Sequence, residues 1–331
     1  MSRRKRVVYM HAFFLIVFSL LPFSAFAQDW PTRPVTMIVP YAAGGPVDAV
    51  GRIMAAGLSE ALGQQVIVEN VAGAGGMTGA NRVAKGAPDG YTFLLGGHAT
   101  LTLVPAINGK KTLYHPINDF THVVAFADSS RILVTRQDFP ANTLAEFAAY
   151  ARQNQDKMQF GSAGAGTGMH VCALMLDHAM GTKITHVPYR GSAQALQDLL
   201  AGRIDYICDQ ISTAVSQIRA GNVKAIAMMS PNRAAVLPEL ATAQEQGLPD
   251  IDCGTWSSFA FPKGTPEAIA RRLADATNKA LSSAMVRDRL EAVGVEIMPP
   301  ERRTREHLAK ILPGAIEKSA EVVKAGGLTS D

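Results

Sequence analysis

Hydrophobic and polar positions near the start of the chain predict a strand followed by a helix. Residues 35–39 are apolar except for one threonine, which is typical of a short buried strand. A turn of small residues with Gly44 and Gly45 follows. Apolar residues then recur at the spacing of one helical face: Val50, Ile53, Met54, Leu58 and Leu62. Because a helix leaves free N–H groups at its start, this unit predicts a binding site for an anion.

The alternation of strand and helix continues along the chain. Short apolar runs predict strands near residues 65–69, 91–95, 185–188, 204–208 and 224–229. Thr143 and Glu146 form a capping-box pattern, and Thr265 before Pro266 indicates another helix start. This alternation is typical of α/β proteins with parallel strands and helices on both faces.

Two extended segments, residues 127–134 and 253–261, interrupt the alternation. We interpret each as a crossover between two lobes. No flexible linker rich in proline or serine separates the halves, which favours two lobes joined by paired strands.

The first 27 residues have the organisation of a secretory signal. Four basic residues at 3–6 precede an apolar run at 12–23, and residues 25–27 (AFA) fit the small-residue rule for cleavage after Ala27. Gln28 stands where a bacterial lipid anchor would require cysteine. These features predict an exported, soluble protein; the alternative is an uncleaved N-terminal anchor.

Net charge carries little information once the predicted signal is removed. The chain has 32 Lys and Arg against 28 Asp and Glu, and the signal holds four of the basic residues and no acidic one. The remaining charges balance, so net charge gives no reason to expect binding to nucleic acid or to an anionic membrane.

Three cysteines in an exported chain leave at least one unpaired thiol. Cys172 lies on a predicted helix and Cys208 on a predicted strand of the same lobe, which is compatible with a disulfide between them. The alternative is that both, together with Cys253, are small buried apolar residues.

A second glycine-rich loop, residues 161–168, leads into another predicted helix. It lacks the Gly-Lys-Ser/Thr ending of a P-loop, and Ser162 does not stand in the G-x-S-x-G sequence of hydrolases. Ser162 therefore either donates to a ligand or stabilises its own turn. Two such loops predict a clamp around a small molecule that carries a carboxylate.

Other polar residues have two interpretations each. His170 either donates to an anionic ligand or is a capped structural residue, and its spacing to the next histidines does not match a helical metal site. Asp48 either pins the first loop or binds a ligand ammonium; the first is favoured because an acid repels anions. Asp209 and Trp256 either line a cleft or pack elsewhere.

The glycines at 73–79 follow a strand, as in a dinucleotide-binding loop. Their spacing is not G-x-G-x-x-G, and an exported protein meets no pool of such cofactors. We interpret them as glycines that allow tight turning and close approach to the cleft.

Several ordered motifs together resemble one family. They are residues 31–35 (PTRPV), 39–45 (VPYAAGG) with Asp48, 68–70 (VEN), 87–91 (APDGY), 162–164 (SAG) with Gly166, Thr167 and His170, and 187–192 (VPYRGS). Over essentially its whole mature length the chain resembles the solute-binding proteins of the tripartite tricarboxylate transporter family, of the TctC or Bug type.

The resemblance implies a periplasmic α/β protein with the two-lobed type II binding-protein fold. Each lobe would be a mostly parallel sheet flanked by helices. Residues 28–127 with 254–331 would form lobe 1 and residues 128–253 lobe 2, with the ligand cleft between them.

The resemblance also implies a set of ligand-binding residues. The carboxylate end of the ligand would contact the two glycine-rich loops through Tyr41, Gly44, Gly45, Ser162, Ala163, Gly164, Thr167 and His170. Candidates for the other end are Gly97, His98, Thr100 and Asp209, and Asp48 completes the set. Pro46, which removes one N–H donor from the first loop, and Ser257-Ser258 depart from the family pattern, so the ligand class stays open.

We therefore expect a monomer that is not an enzyme and needs no cofactor or metal. It would capture a small mono- or dicarboxylate, aromatic acids included, and pass it to a membrane permease or inform a sensor protein. One alternative is an exported enzyme acting on a small carboxylate on the same scaffold, although no nucleophile, base and orienting group stand at a recognisable spacing. Another is a structural or adhesion protein, which would have no closed pocket.

Overall fold

The computed structural model describes residues 30–248 and 251–325, and within these ranges the chain forms two sheets flanked by helices. The predicted signal peptide and its cleavage site after Ala27 lie outside the described residues. Along the described part of the chain run eleven strands and ten α-helices.

The strands are β1 (Val35–Val39), β2 (Val66–Asn70), β3 (Thr92–Gly97), β4 (Phe120–Ser129), β5 (Arg131–Arg136), β6 (Gln159–Ser162), β7 (Thr185–Pro188), β8 (Tyr206–Gln210), β9 (Val223–Met228), β10 (Thr255–Pro262) and β11 (Val295–Ile297). The helices are α1 (Pro46–Leu62), α2 (Met77–Ala84), α3 (Val104–Asn108), α4 (Leu144–Asn154), α5 (Gly168–Met180), α6 (Ser192–Leu200), α7 (Ile211–Arg219), α8 (Glu267–Ser282), α9 (Ala284–Ala292) and α10 (Arg305–Ala325). A π-helical turn lies at 99–103, and 3-10 turns lie at 74–76, 109–111 and 300–302. Each strand predicted from an apolar run lies within two residues of its predicted position.

The first sheet has the strand order β11-β4-β10-β3-β1-β2, and the second has the order β7-β6-β8-β5-β9. The two-lobed α/β fold is thereby confirmed, but both sheets are mixed rather than mostly parallel. In the first, β1 is parallel to β2 and β3, whereas β10 runs antiparallel to β3 and β4. In the second, β6 is parallel to β7 and β8, whereas β5 runs antiparallel to β8 and β9.

The antiparallel strands have a topological cause. The chain passes from the first sheet to the second between β4 and β5, at Ser130, and returns to the first sheet at β10. Parallel neighbours need a long crossover connection, usually a helix, within one sheet, and the described residues include no helix between β4 and β5 or between β9 and β10. These sheet memberships support the predicted lobe boundaries of 28–127 with 254–331 and 128–253, which stay a prediction.

Helix α1 shows how the apolar pattern positions the first loop. The helix begins at Pro46, where a missing N–H is tolerated, and closes at Gly63, which has φ 70°. Its apolar face packs on the first sheet and on α8 and α9, with Leu58 fully buried at a gain of about 1.5–3 kcal/mol. A Cβ on Gly57 would lie 2.5 Å from Val286 Cγ2, so the glycine lets α1 approach α9.

The second sheet is apolar on both faces because its strands alternate between two clusters. Ile132 and Val134 of β5 point to the side of α6 and α7, whereas Leu133 points to the side of α4 and α5. The capping box predicted at Thr143 and Glu146 is present and begins α4. Helices therefore cover both faces of this sheet, and the loops that follow its strand ends are the parts left to line the cleft.

The disulfide joins Cys172 to Cys253, with the two Cα atoms 5.6 Å apart, and Cys208 is a buried free thiol. The prediction that Cys172 pairs with Cys208 is therefore wrong. All three cysteines lie in one apolar cluster. The chain returns to the first sheet alongside β9, where Cys253 N donates to Met229 O at 2.7 Å, and this brings Cys253 against α5. The two paired cysteines are 81 residues apart in sequence, so the pairing depends on that tertiary contact.

Candidate functional site

Both sheets contribute residues to one cleft. From the first sheet come the loop after β1, the end of β3 with its π turn, and the start of β10. From the second come the start of β5, the two loops that precede α5 and α6, and the end of β8. The lining includes Tyr41, Ala42, Gly45, Pro46, Gly97, His98, Thr100, Arg131, Ala163, Thr167, Gly168, Met169, Gly191, Ser192, Gln210, Trp256 and Ser257.

Asp48 lies behind the first loop and holds it in place. Its carboxylate accepts hydrogen bonds from Gly44 N at 3.0 Å, Arg52 Nε at 2.9 Å and Asn70 Nδ2 at 2.9 Å. Asn70 also donates to Tyr41 O at 3.0 Å. Burial alone would raise the pKa of Asp48, but these hydrogen bonds together hold it below the usual value. The structure thus places Gly44 and Asp48 in the support of the loop, and neither is part of the cleft lining described.

The first loop meets the start of α6 at one end of the cleft. Gly45 precedes α1, Gly191 precedes α6, and a Cβ on Gly45 would lie 3.2 Å from Ser192 Oγ. Ser192 is buried, and its hydroxyl has no hydrogen-bond partner among the described residues. Two helix N-termini and a free hydroxyl converge here, which is an arrangement suited to a carboxylate.

The second glycine-rich loop is closed by its own hydrogen bonds. Ser162 Oγ contacts Gly164 O at 3.0 Å and His186 Nε2 at 2.7 Å, and Thr167 Oγ1 donates to Gly164 O at 2.7 Å. Gly164 has φ 120°, a conformation that favours glycine. Of the predicted residues in this loop, Ala163 and Thr167 line the cleft, whereas Ser162, which is fully buried, and Gly164 stabilise the turn.

His170 also supports the loop from behind. Its Nδ1 accepts a hydrogen bond from Gly166 N at 3.1 Å, and its ring stacks on that of His186 at 4.0 Å. Burial lowers the pKa of His170 to about 4, with a smaller contribution from His186, so the ring is neutral at neutral pH. This geometry matches the capped structural histidine, one of the two interpretations of the sequence.

Gly97, His98 and Thr100 lie together where β3 meets β10. Gly97 has φ 155°, and a Cβ there would lie 2.0 Å from Trp256 O, so only glycine lets the two strands pair. Thr100 Oγ1 accepts from Gly97 N at 3.1 Å. Burial lowers the pKa of His98 to about 4, and its Nδ1 has no partner among the described residues. Trp256 forms a wall beside His98, with ring centroids 6.2 Å apart.

Asp209 is fully buried at the end of β8, and the cleft is lined instead by its neighbour Gln210. The Asp209 carboxylate accepts from Gln210 N at 2.8 Å and from Thr213 Oγ1 at 2.5 Å. Burial raises the pKa of Asp209 to about 6. The structure therefore does not bring this predicted residue to the surface of the cleft.

Tyr41 reaches into the cleft as a neutral hydroxyl, because burial raises its pKa to about 12. The glycines at 73–79 make room for it. Gly76 has φ 102°, and a Cβ there would lie 3.1 Å from the Tyr41 hydroxyl. A Cβ on Gly75 would lie 3.5 Å from Ala165 O in the second loop, so these glycines serve turning and close approach.

Arg131 is a charged cleft residue that sequence reasoning missed. It begins β5, is only 5% exposed, and donates from Nη1 to Cys253 O at 2.5 Å. The sequence carried a signal, since Arg131 is a charged residue directly before the apolar run 132–134 in a predicted crossover. Gly191 is the residue that caps α6, and Ser192, the first residue of that helix, lines the cleft.

Two α/β lobes with a cleft between their sheets form the architecture of a type II solute-binding protein. A model of the tripartite tricarboxylate transporter family receptor matches residues 50–328, and the chain belongs to this family. The helices in the described ranges include none with the length and apolar character needed to cross a membrane.

Individual relatives agree with this assignment. The chain is 39% identical to the UPF0065 protein in the TAR-I ttuE-ttuC' intergenic region of Agrobacterium vitis, over 98% of this chain and 94% of the relative. It is similar to the periplasmic binding protein BugD, with TM-score 0.87 and 35% identity, over 91% of this chain and 99% of that one. It is also similar to MatC from Rhodopseudomonas palustris with bound malate, with TM-score 0.85 and 38% identity, over 89% and 100% of the chains.

Proposed function

We propose that this protein captures a small organic carboxylate in the cleft and delivers it to a membrane permease or presents it to a sensor. The observation that carries the proposal is the convergence of the α1 and α6 N-termini on Ser192, whose buried hydroxyl has no partner among the described residues. A carboxylate would accept hydrogen bonds from that hydroxyl and from the free N–H groups of both helices.

The electrostatics of the cleft support the same ligand class. Tyr41 and His98 are neutral at neutral pH. The described lining of the cleft contains no Asp or Glu, and Asp48 and Asp209 are held behind its walls by hydrogen bonds. An anion in the cleft therefore meets donors without a facing carboxylate. The malate bound by MatC, a similar protein, agrees with this class.

We propose further that the protein binds without turning its ligand over and acts as a monomer in the periplasm, after cleavage behind Ala27. The one Ser–His contact found in the loop, between Ser162 and His186, involves a fully buried serine, so it offers a ligand no nucleophile. N-terminal sequencing of the protein from a periplasmic extract should begin at Gln28. A longer N-terminus would instead support an uncleaved anchor.

The ligand class is tested by isothermal calorimetry on the chain from Gln28. The titrants are succinate, malate, adipate and benzoate, together with the primary amide of each acid. The best acid should bind at least about 100-fold more tightly than its amide, because charge-assisted hydrogen bonds are lost and the donors stay desolvated. Equal affinities would refute the carboxylate site. Consumption of the acid, followed by NMR over hours, would favour the exported enzyme.

A further inference from the structure

Arg131 is a buried cation without an ion pair among the described residues. It is only 5% exposed on the cleft wall, yet the acids described have no oxygen within 4.0 Å of its guanidinium. Its Nη1 bonds to a neutral carbonyl, that of Cys253, and its buried Nε has no partner in the described part of the chain. A buried charge is costly unless an opposite charge compensates it, so this geometry points to an anion that the protein itself does not supply.

A second positive group lies directly beside this guanidinium. A Cβ on Gly168, the first residue of the thirteen-residue helix α5, would lie 2.1 Å from Arg131 Nη2. The N-terminus of α5 therefore points its partial positive charge at the same place. The guanidinium and the positive end of the helix repel each other, and an anion bound beside both would interact favourably with both.

The neighbouring groups do not neutralise Arg131. Asp209 attracts it through space, but both carboxylate oxygens of Asp209 accept hydrogen bonds, from Gln210 N and from Thr213 Oγ1. Asp252 lines a neighbouring pocket together with Arg131, but it pairs with Lys318 at 3.8 Å. His98 is neutral and offers its unpartnered Nδ1.

We propose that Arg131 and the N-terminus of α5 form a second anion subsite, so that the ligand is a dianion with two carboxylates. This inference rests on the proposed function, which places one carboxylate at the other end of the cleft, between Gly45 and Ser192. The lining of the cleft is continuous from that end to Arg131. A linear dicarboxylate satisfies both ends at once, whereas a monocarboxylate leaves the guanidinium unpaired.

The test compares matched acids on the wild-type protein. Calorimetry is run with the linear dicarboxylates from succinate to suberate and with the monocarboxylates of equal chain length, from butyrate to octanoate. The best dicarboxylate should bind at least about 100-fold more tightly than its monocarboxylate, since a buried charge loses its partner in the latter. Equal affinities for the two acids would overturn this inference and leave the proposed function intact. Acids that bind no better than their amides would overturn both.

Two variants of the arginine locate the effect. Arg131→Gln should weaken binding of the best dicarboxylate about 100-fold and should change the affinity for monocarboxylates less than about threefold. The retained monocarboxylate binding would also show that the variant is folded. Arg131→Lys should lie between, because it keeps the charge and loses the planar fork. The control is Arg136→Gln at the other end of β5, where Arg136 pairs with Asp205 and Asp138 outside the cleft. If Arg131→Gln keeps full selectivity for the dicarboxylate, Arg131 only anchors Cys253 and the subsite is refuted.

Discussion

At the scale of single residues, Gly45 is needed for space and not for an unusual backbone angle. Its φ is −86°, which any residue can adopt, but a Cβ would lie 3.2 Å from Ser192 Oγ at the carboxylate end of the cleft. We expect Gly45→Val to abolish ligand binding, because its methyl groups would occupy the ligand position. Overpacking should cost only about 1–3 kcal/mol of unfolding free energy.

The measurement for Gly45→Val is calorimetry together with far-UV circular dichroism. Gly314→Val is the matched control, since Gly314 is exposed on α10 and a Cβ there would have no atom within 4 Å. The control should bind like the wild type. A folded Gly45→Val protein with unchanged affinity would remove the first loop from the site.

Asp48 illustrates a buried acid that serves structure rather than ligand. Asp48→Ala should lower the unfolding free energy at pH 7 by about 1–3 kcal/mol, because Gly44 N, Arg52 and Asn70 lose a charged acceptor. Its pKa is below the usual 3.8 in the folded protein. The contribution is therefore complete above about pH 4 and disappears as the pH falls through the folded-state pKa.

Urea unfolding of wild type and Asp48→Ala between pH 2 and pH 7 measures this contribution. The two stability curves should converge at the acid end. A difference that stays constant over the whole range would show that Asp48 acts through packing and not through its charge.

The sequence predicted part of the site at this scale and missed part of it. Motifs identified Tyr41, Gly45, Ala163 and Thr167 because loops after strands are local features of the chain. They did not identify Arg131, because the direction of its side chain depends on the packing of β5 beside α5. Ser162, Gly164, His170, Asp48 and Asp209 were found as polar or glycine positions, but their hydrogen bonds turn them towards the loops and the protein interior.

At the scale of elements, apolar periodicity predicted which segments are strands and helices, and it did not predict strand direction. The runs at 35–39, 66–70 and 92–97 read alike in either direction, and their parallel pairing follows from the helices between them. For β5 and β10 no such helix directly precedes the strand in the described part of the chain, so their antiparallel direction depends on the crossover between lobes. Long-range pairing of this kind is not encoded in a local pattern.

The Cys172–Cys253 disulfide ties α5 to the segment that returns to the first sheet. Closing a loop of 81 residues should stabilise the second lobe by about 4–5 kcal/mol in the chain-entropy account. We expect the double variant Cys172→Ala, Cys253→Ala to lose about 2–5 kcal/mol in urea unfolding. Cys208→Ala, which leaves the disulfide intact, is the control and should lose less.

Thiol titration in denaturant checks the pairing itself. One reactive thiol per chain, mapped to Cys208 by peptide mass analysis, is expected from the free thiol in the structure. A disulfide-linked peptide that contains Cys208 would contradict the Cys172–Cys253 pairing. Unchanged stability of the double variant would show that this disulfide does not stabilise the protein.

At the scale of the whole molecule, the proposed ligand would couple the two sheets, because both contribute residues to the cleft. The first sheet carries Gly45 and Trp256 near its strand ends, and the second carries Arg131 and the loops before α5 and α6. The lobes are also joined by the two passages of the chain, by loop contacts such as Gly75 against Ala165, and by helix packing such as Val171 of α5 against Val323 of α10. Ligand binding should therefore stabilise both lobes together.

Hydrogen exchange tests this coupling in the interior strands β3 and β8, whose amides exchange only when their lobe unfolds. At about 100 times the Kd of the tightest-binding acid, these amides in both sheets should gain about 2.7 kcal/mol of protection. The turn at 220–222, outside the cleft, opens locally and should not change. Protection confined to one sheet would mean that the ligand contacts one lobe only, and it would contradict a clamp in which Gly45 and Arg131 bind the two ends of one molecule.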